Sequence, residues 1–197
     1  MEKEAYNLER VADLLFEFGM LKKTPRSGFA FLGSGEENVA EHSWRTSAIG
    51  FVLARLANAD PSRVVFLCLF HDLHEARTGD FNYVNHRYNT TRARDALIDG
   101  LKDTGFEKEL LEYWDQLERR SDKDAILAHD ADQLDLILNL REEEAKGNAF
   151  ASEWLVSALK RLVSPEARAL ADTILKTDPN NWWYGRVDKD WWVNHGK

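Results

Sequence analysis

Apolar residues in this chain recur at helical spacing, and no alternation of apolar and polar residues extends beyond a few positions. Only four prolines and eleven glycines interrupt 197 residues, so the sequence is confined to a ladder of helices. Residues 5–21 predict an amphipathic helix with Leu8, Val11, Leu14, Leu15 and Phe18 on one stripe. A Gly/Ser-rich loop spans 24–38 (TPRSGFAFLGSGEEN), and Asn38 reads as the cap of a helix that begins VAEHSWR. Asp60-Pro61 opens the next helix, which is expected to run through VVFLCLFHDLHEA to Thr78-Gly79. After a loop at 80–89, helices are predicted at 90–103, 106–119 and 122–146, the last capped by Ser121, then at 151–164 and from Pro165 onward. The expected fold is one all-α domain over residues 1–197, arranged as an orthogonal helical bundle. Its core lies at about 5–150, and C-terminal helices and a Trp-rich tail fill 151–197.

Composition narrows the function classes. A net charge of −8 with no Lys/Arg cluster argues against gripping polymeric nucleic acid, although a metal ion and one or two arginines can offset a single small phosphate. The longest apolar runs, VVFLCLF and AIGFVLA, are far shorter than the roughly 20 residues of a membrane span. The N-terminus, MEKEAYNLER, has no apolar segment of the signal-peptide kind. One cysteine, Cys68, sits inside an apolar run and reads as a buried small hydrophobe. These features lead us to expect a cytoplasmic protein without a membrane partner.

Two His-Asp doublets carry the candidate chemistry. His71-Asp72 follows a run of large apolar residues, and with His74, Glu75, Arg77 and Asp80 it puts six ionisable groups into residues 71–80. Imidazole and carboxylate at the mouth of a core suit a divalent metal. Neighbours on a helix point about 100° apart, so convergence on one ion needs partners from other helices, and His42 is one candidate. His129-Asp130 lies mid-helix in AILAHDADQLDLILNL, beside the stripe Leu127, Ala131, Leu134, Leu138. Asp130, Asp132 and Asp135 surround that stripe, and at most one or two are expected to face inward. Spacing alone does not choose among them, although Asp132 shares a small-residue face with Ala125, Ala128, Leu136 and Asn139.

His42, His71-Asp72 and a later Asp resemble the H…HD…D signature of the HD-domain metal-dependent phosphohydrolase superfamily. ENVAEHSWR (37–45), FHDLHEARTGD (70–80) and DADQLD (130–135) look like its 5′-deoxynucleotidase branch, over about residues 5–150. The resemblance implies that His42, His71, Asp72 and Asp132 bind a divalent metal such as Co, Mn, Mg, Zn or Fe, and thereby selects Asp132 over Asp130. It implies a catalytic acidic pair, Glu75 and Asp80, with Glu75 supplying a proton and Asp80 orienting water or binding the sugar. It gives Arg26 the substrate phosphate of a nucleoside 5′-monophosphate, and it implies a homodimer. The chain departs from the branch at Ser27, where a tryptophan beside the arginine accompanies preference for deoxyribose, and at His74, which has no assigned role. Trp182, Trp183, Trp191 and Trp192 predict an amphipathic tail packed on its own domain or on a dimer mate. Arg77, Arg87 and Arg92 read as surface groups near the site mouth. The rival readings are an HD-type hydrolase of another phosphorylated substrate (a nucleoside triphosphate, cyclic nucleotide or guanosine polyphosphate), a di-metal HD oxygenase short of histidine ligands, and a non-catalytic helical binding protein.

Overall fold

The computed structural model describes residues 6–186 and 189–194. Among these the chain is a single helical domain without strands. Helix α1 (Leu8–Phe18) leads through a 3-10 turn (Gly19–Lys23) and the one-turn α2 (Phe29–Leu32) to α3 (Val39–Leu56) and α4 (Pro61–Phe70). Three short helices follow, α5 (Glu75–Thr78), α6 (Tyr83–Tyr88) and α7 (Ala93–Leu101), then α8 (Glu107–Arg119). The central α9 (Lys123–Ala145) precedes α10 (Ala149–Leu159), α11 (Pro165–Lys176), a π turn (Asn181–Gly185) and α12 (Lys189–Asn194).

Side-chain caps fix where the long helices start. Asn38 accepts from the Glu41 N–H while the Glu41 carboxylate accepts from the Asn38 N–H, a reciprocal box that starts α3. Asp60 accepts from the N–H groups of Ser62 and Arg63 ahead of Pro61. The cap of α9 is Asp122, not the expected Ser121, because its carboxylate reaches the Ala125 N–H. Helix α9 is the hub: it packs on α3, α4, α8, α10 and α11, and Leu127, Ala131, Leu134, Ile137 and Leu140 are all buried. Helices α3 and α4 approach closely at Gly50, where an added Cβ would lie 2.6 Å from Cys68 Sγ. Cys68 is buried as expected, and burial pushes its thiol up.

Two apolar clusters make the core. The larger joins Leu53, Val64, Cys68, Leu134, Ile137 and Leu155 from α3, α4, α9 and α10. The smaller joins Leu14, Leu21, Val39, Leu73, Leu97 and Leu101. Along α3 the chain passes from Val39 in the small cluster to Ile49 in the large one, and around α4 it passes from Cys68 back to Leu73. His42, His71 and Asp72 stand between those points, in the seam where the two clusters meet.

Several predicted boundaries move. Of the stripe on α1 only Leu14 is fully buried, and Leu8 (76%) and Leu15 (62%) are exposed. The loop 24–38 contains α2 and is closed by an antiparallel bridge between Pro25 and Asn38. The helix expected to continue to Thr78-Gly79 ends at Phe70, because the Leu73 N–H bonds the Phe70 carbonyl and the Glu75 N–H bonds that of Asp72, which tightens the backbone into 3-10 turns. The predicted loop 80–89 holds α6, whose cap Asn82 accepts from Val84 and Asn85. In the tail, Trp183 and Trp192 (5.5 Å between centroids) and Trp191 and Trp192 (4.8 Å) meet edge to face and stay partly exposed.

Candidate active site

The tightened turn at 71–74 lets two consecutive side chains point the same way. His71 Nε2 lies 3.0 Å from Asp72 Oδ2. From α3, His42 Nε2 comes to 3.2 Å from His71 Nε2 and 3.6 Å from Asp72 Oδ2. From α9, Asp132 Oδ1 lies 3.2 Å from His42 Nε2 and 4.0 Å from His71 Nε2. Ligands about 2.0–2.2 Å from one ion are separated from one another by roughly 3–4 Å; the atoms of His42, His71 and Asp72 have that mutual spacing, and Asp132 approaches the same centre from the side of the two histidines. The tautomers agree. His71 Nδ1–H donates to the Cys68 carbonyl at 2.7 Å, and His42 Nδ1 faces Asp135 Oδ2 at 2.6 Å. In both rings Nδ1 is occupied by an outer acceptor and Nε2 is left for the shared centre, the arrangement by which proteins orient metal-binding histidines. The residues present therefore fit a divalent ion.

Without an ion the same atoms hold protons and charge against one another. Burial and Arg26 oppose the His42 imidazolium, but hydrogen bonds and charge from Asp132 and Asp135 outweigh them and push it up to about 10. His71 is also raised, Asp72 overcoming the effect of burial. Burial works to raise Asp72, yet His71, His42 and Arg26 hold its carboxyl far below the usual range. Asp132 is drawn down to about 2 by His42 and His71 against the same opposition from burial. Glu75 behaves in the opposite way. Burial, then the charges of Asp72 and Asp80, push it up to about 9, and its Oε2 is buried without a hydrogen-bond partner. Burial and the neighbouring carboxylates thus favour its protonated form, and the residue lines the cavity.

Arg26 bridges the cluster to the loop. Its Nη1 donates to Asp80 Oδ1 at 3.1 Å and to Asp72 Oδ2 at 3.5 Å. Asp80 Oδ2 accepts from the Ser27 N–H at 2.6 Å and the Ser27 hydroxyl at 2.8 Å, and that hydroxyl in turn accepts from the Asn82 amide at 3.1 Å. Ser27, at the position of the sequence departure, is thus the knot between the 24–38 loop and the segment entering α6. His74 lies outside the cluster in a T-shaped contact with Trp114, and burial lowers its pKa. Arg77 pairs with Glu17 and Arg92 with Asp95, while Arg87 is exposed.

All seven residues proposed from the sequence border this one site, and a cavity of about 250 Å³ opens over Arg26, Asp72, Glu75, Asp80 and Asp132. The sequence reading missed Asp135, Arg45 and Glu37. Asp135 is buried and accepts from Arg45 Nε and from Asn139 as well as facing His42. The acidic triplet on α9 was visible, but only the position of the His42 ring identifies its outer acceptor. Nor is Asp130 idle: it is fully buried, and its two oxygens accept the N–H groups of Val163 and Ser164 at 2.8 and 2.7 Å. All three aspartates therefore turn away from solvent to a large degree, more than the one or two expected, because α9 is enclosed on nearly every side.

A helical domain with two histidines and two aspartates converging from three separate segments defines a class, and the HD domain family model matches residues 18–173. The chain belongs to that family. Among curated proteins it is similar to 5′-deoxynucleotidase HDDC2 of Danio rerio, 30% identical over 164 residues that cover 79% of this chain and 82% of that protein. Among solved structures it resembles a conserved hypothetical protein from Pyrococcus furiosus (TM-score 0.72, 26% identity, 84% of this chain and 99% of that one). It also resembles a structure from Magnetospirillum magnetotacticum described as a predicted metal-dependent phosphohydrolase (TM-score 0.68, 26% identity, 86% and 93%). No helix among the described residues is long and apolar enough to cross a membrane.

Proposed function

We propose that the chain is a metal-dependent phosphomonoesterase that removes the 5′-phosphate of nucleoside monophosphates, with deoxynucleotides among its substrates. One observation carries the reading: ligand-type atoms of His42, His71 and Asp72 3.0–3.6 Å apart, with Asp132 Oδ1 within 4.0 Å of both histidines, lie beside a buried carboxyl at Glu75 whose Oε2 has no hydrogen-bond partner. The name of the Danio rerio relative supports the substrate class. In this reading His42, His71, Asp72 and Asp132 hold the ion. A divalent ion held there supplies Lewis acidity toward the phosphoryl group and toward water.

The remaining steps belong to side chains. Arg26 presents its planar fork to the phosphate, exchanging its long contact to Asp72 for phosphate oxygens while Asp80 keeps hold of it. Glu75 holds its proton at Oε2 and delivers it to the departing 5′-oxygen, which would otherwise leave as an alkoxide. Asp80 spends both oxygens on Ser27 and Arg26, so we assign it the positioning of Arg26. Apolar walls from Phe29, Leu32, Leu136 and Leu140 keep bulk water from the cavity. The exposed tryptophans of the tail suit the homodimer that the family resemblance implies.

The test is phosphate release from ribo- and deoxynucleoside 5′-monophosphates by protein stripped of metal and reloaded with Co²⁺, Mn²⁺, Mg²⁺, Zn²⁺ or Fe²⁺. Release with at least one metal, lost in Glu75→Ala, is expected. If no metal supports release from any substrate in the panel, the proposal fails.

A further inference from the structure

The cavity over the reactive cluster has a second end. Tyr83, Trp154 and Arg161 line it together with Arg26 and Glu75, and the same three continue outward into a hollow shared with Glu153 and Ser157. A ligand anchored by phosphate at Arg26 can extend along this wall. We infer that Arg161, with Tyr83 and Trp154, forms the nucleobase end of the cavity and selects bases with a carbonyl at the O6 or O4 position (guanine, thymine, uracil) over adenine. This rests on the nucleotidase reading above.

The state of Arg161 is the reason. Arg26, Arg45, Arg63, Arg77 and Arg94 each hold at least one carboxylate. Arg161 has no ion pair among the described residues, and its Nε is buried without a hydrogen-bond partner. Burial depresses its pKa with nothing to offset it. Its guanidinium carbon lies 5.2 Å from the centroid of the Tyr83 ring, a cation–π contact. Buried donors without partners are costly, and Arg161 lines the cavity. Guanidinium has only donors, so its complement is an acceptor edge: O6 and N7 of guanine, or O4 of thymine and uracil, but not the N6 amino group of adenine. Trp154 supplies a flat face for stacking, and its ring lies against Gly28, where an added Cβ would be 3.9 Å away. The base end is thereby joined to the loop that carries Arg26.

A purely structural Arg161 would clamp α6 to the end of α10 through Tyr83, and its loss would affect every substrate alike. The experiment separates the two roles. Metal-loaded wild type and Arg161→Lys, which keeps the charge but not the fork, are compared on the 5′-monophosphates of deoxyguanosine, thymidine, deoxyuridine and deoxyadenosine. Expected is a rise in KM of about tenfold for the first three relative to deoxyadenosine monophosphate, with kcat spared. An equal change for all four, or none, overturns the inference. Calorimetric titration of deoxyguanosine and deoxyadenosine into the metal-free protein reads the same preference without catalysis. Selective deoxyguanosine binding that Arg161→Lys abolishes, in a protein that releases no phosphate, keeps the base site and rejects the nucleotidase reading. Phosphate release without base preference in either assay does the reverse.

Discussion

The chain writes His-Asp twice, and the two copies do different work. At 71–72 the doublet sits where helical hydrogen bonding gives way to 3-10 turns, so both side chains enter one seam and meet His42 and Asp132. At 129–130 it sits inside unbroken α9, so the residues diverge. Asp130 turns to the α10–α11 connection and accepts two backbone N–H groups, and His129 is left with a buried, unpartnered Nε2. The same dipeptide is a site in one place and a structural anchor in the other. Local backbone geometry separates them, and composition does not.

Substitutions can break this contrast. Asp72→Ala is expected to lower kcat about a thousandfold or more and to abolish stoichiometric metal binding, because a ligand and a partner of both histidines are lost; steady-state kinetics and metal analysis check it. Asp130→Ala is expected to do the opposite: activity per folded molecule stays within about twofold, while stability falls by about 3 kcal/mol as two buried N–H groups lose their acceptor. Thermal or urea unfolding reads that loss. Asp135→Asn retains the volume but weakens the acceptor behind His42, and metal affinity measured by competition with a chelator is expected to drop about 10–100-fold.

The smallest effect reverses sign. Burial and the charges of Asp72 and Asp80 push Glu75 up to about 9 from an ordinary value of 4.5, so it binds its proton more tightly folded than unfolded. Its contribution is complete below pH 4.5 and is lost as pH rises toward 9. Glu75→Gln removes that loss. The metal-free variant is expected to unfold a few degrees above wild type at pH 8 and at nearly the same temperature at pH 4.5, although it is inactive. A variant less stable than wild type at pH 8 would remove the case for a neutral Glu75.

What the sequence made legible follows from the range of the interactions. Helix caps at Asn38 and Asp60 are local and were readable, as was the concentration of ionisable groups at 71–80. The break after Phe70 was not, since His71 has no sequence mark of the side-chain bond it makes to the Cys68 carbonyl three residues back. Asp122 displaced Ser121 because either can cap and tertiary contacts decide: Asp122 also receives Arg63. The four residues given to the metal by family resemblance do come together in space. Asp135 and Arg161 stayed hidden because each acts through a partner on a distant segment, and apolar periodicity carries no trace of it.

The enclosure of α9 has a consequence for how its rotational phase is set. A helix with one apolar stripe is oriented by that stripe, but α9 buries Ala125, Leu127, Ala131, Leu134 and Ile137 around most of its circumference, so greasy contacts alone would tolerate several settings. Its three aspartates do not. At 100° per residue, Asp132 and Asp135 stand about 60° apart and Asp130 roughly opposite; the first two grip the two nitrogens of one imidazole and the third the turn before α11. Inserting a single residue ahead of position 130 would keep the helix apolar enough to bury and would send every carboxylate to the wrong neighbour.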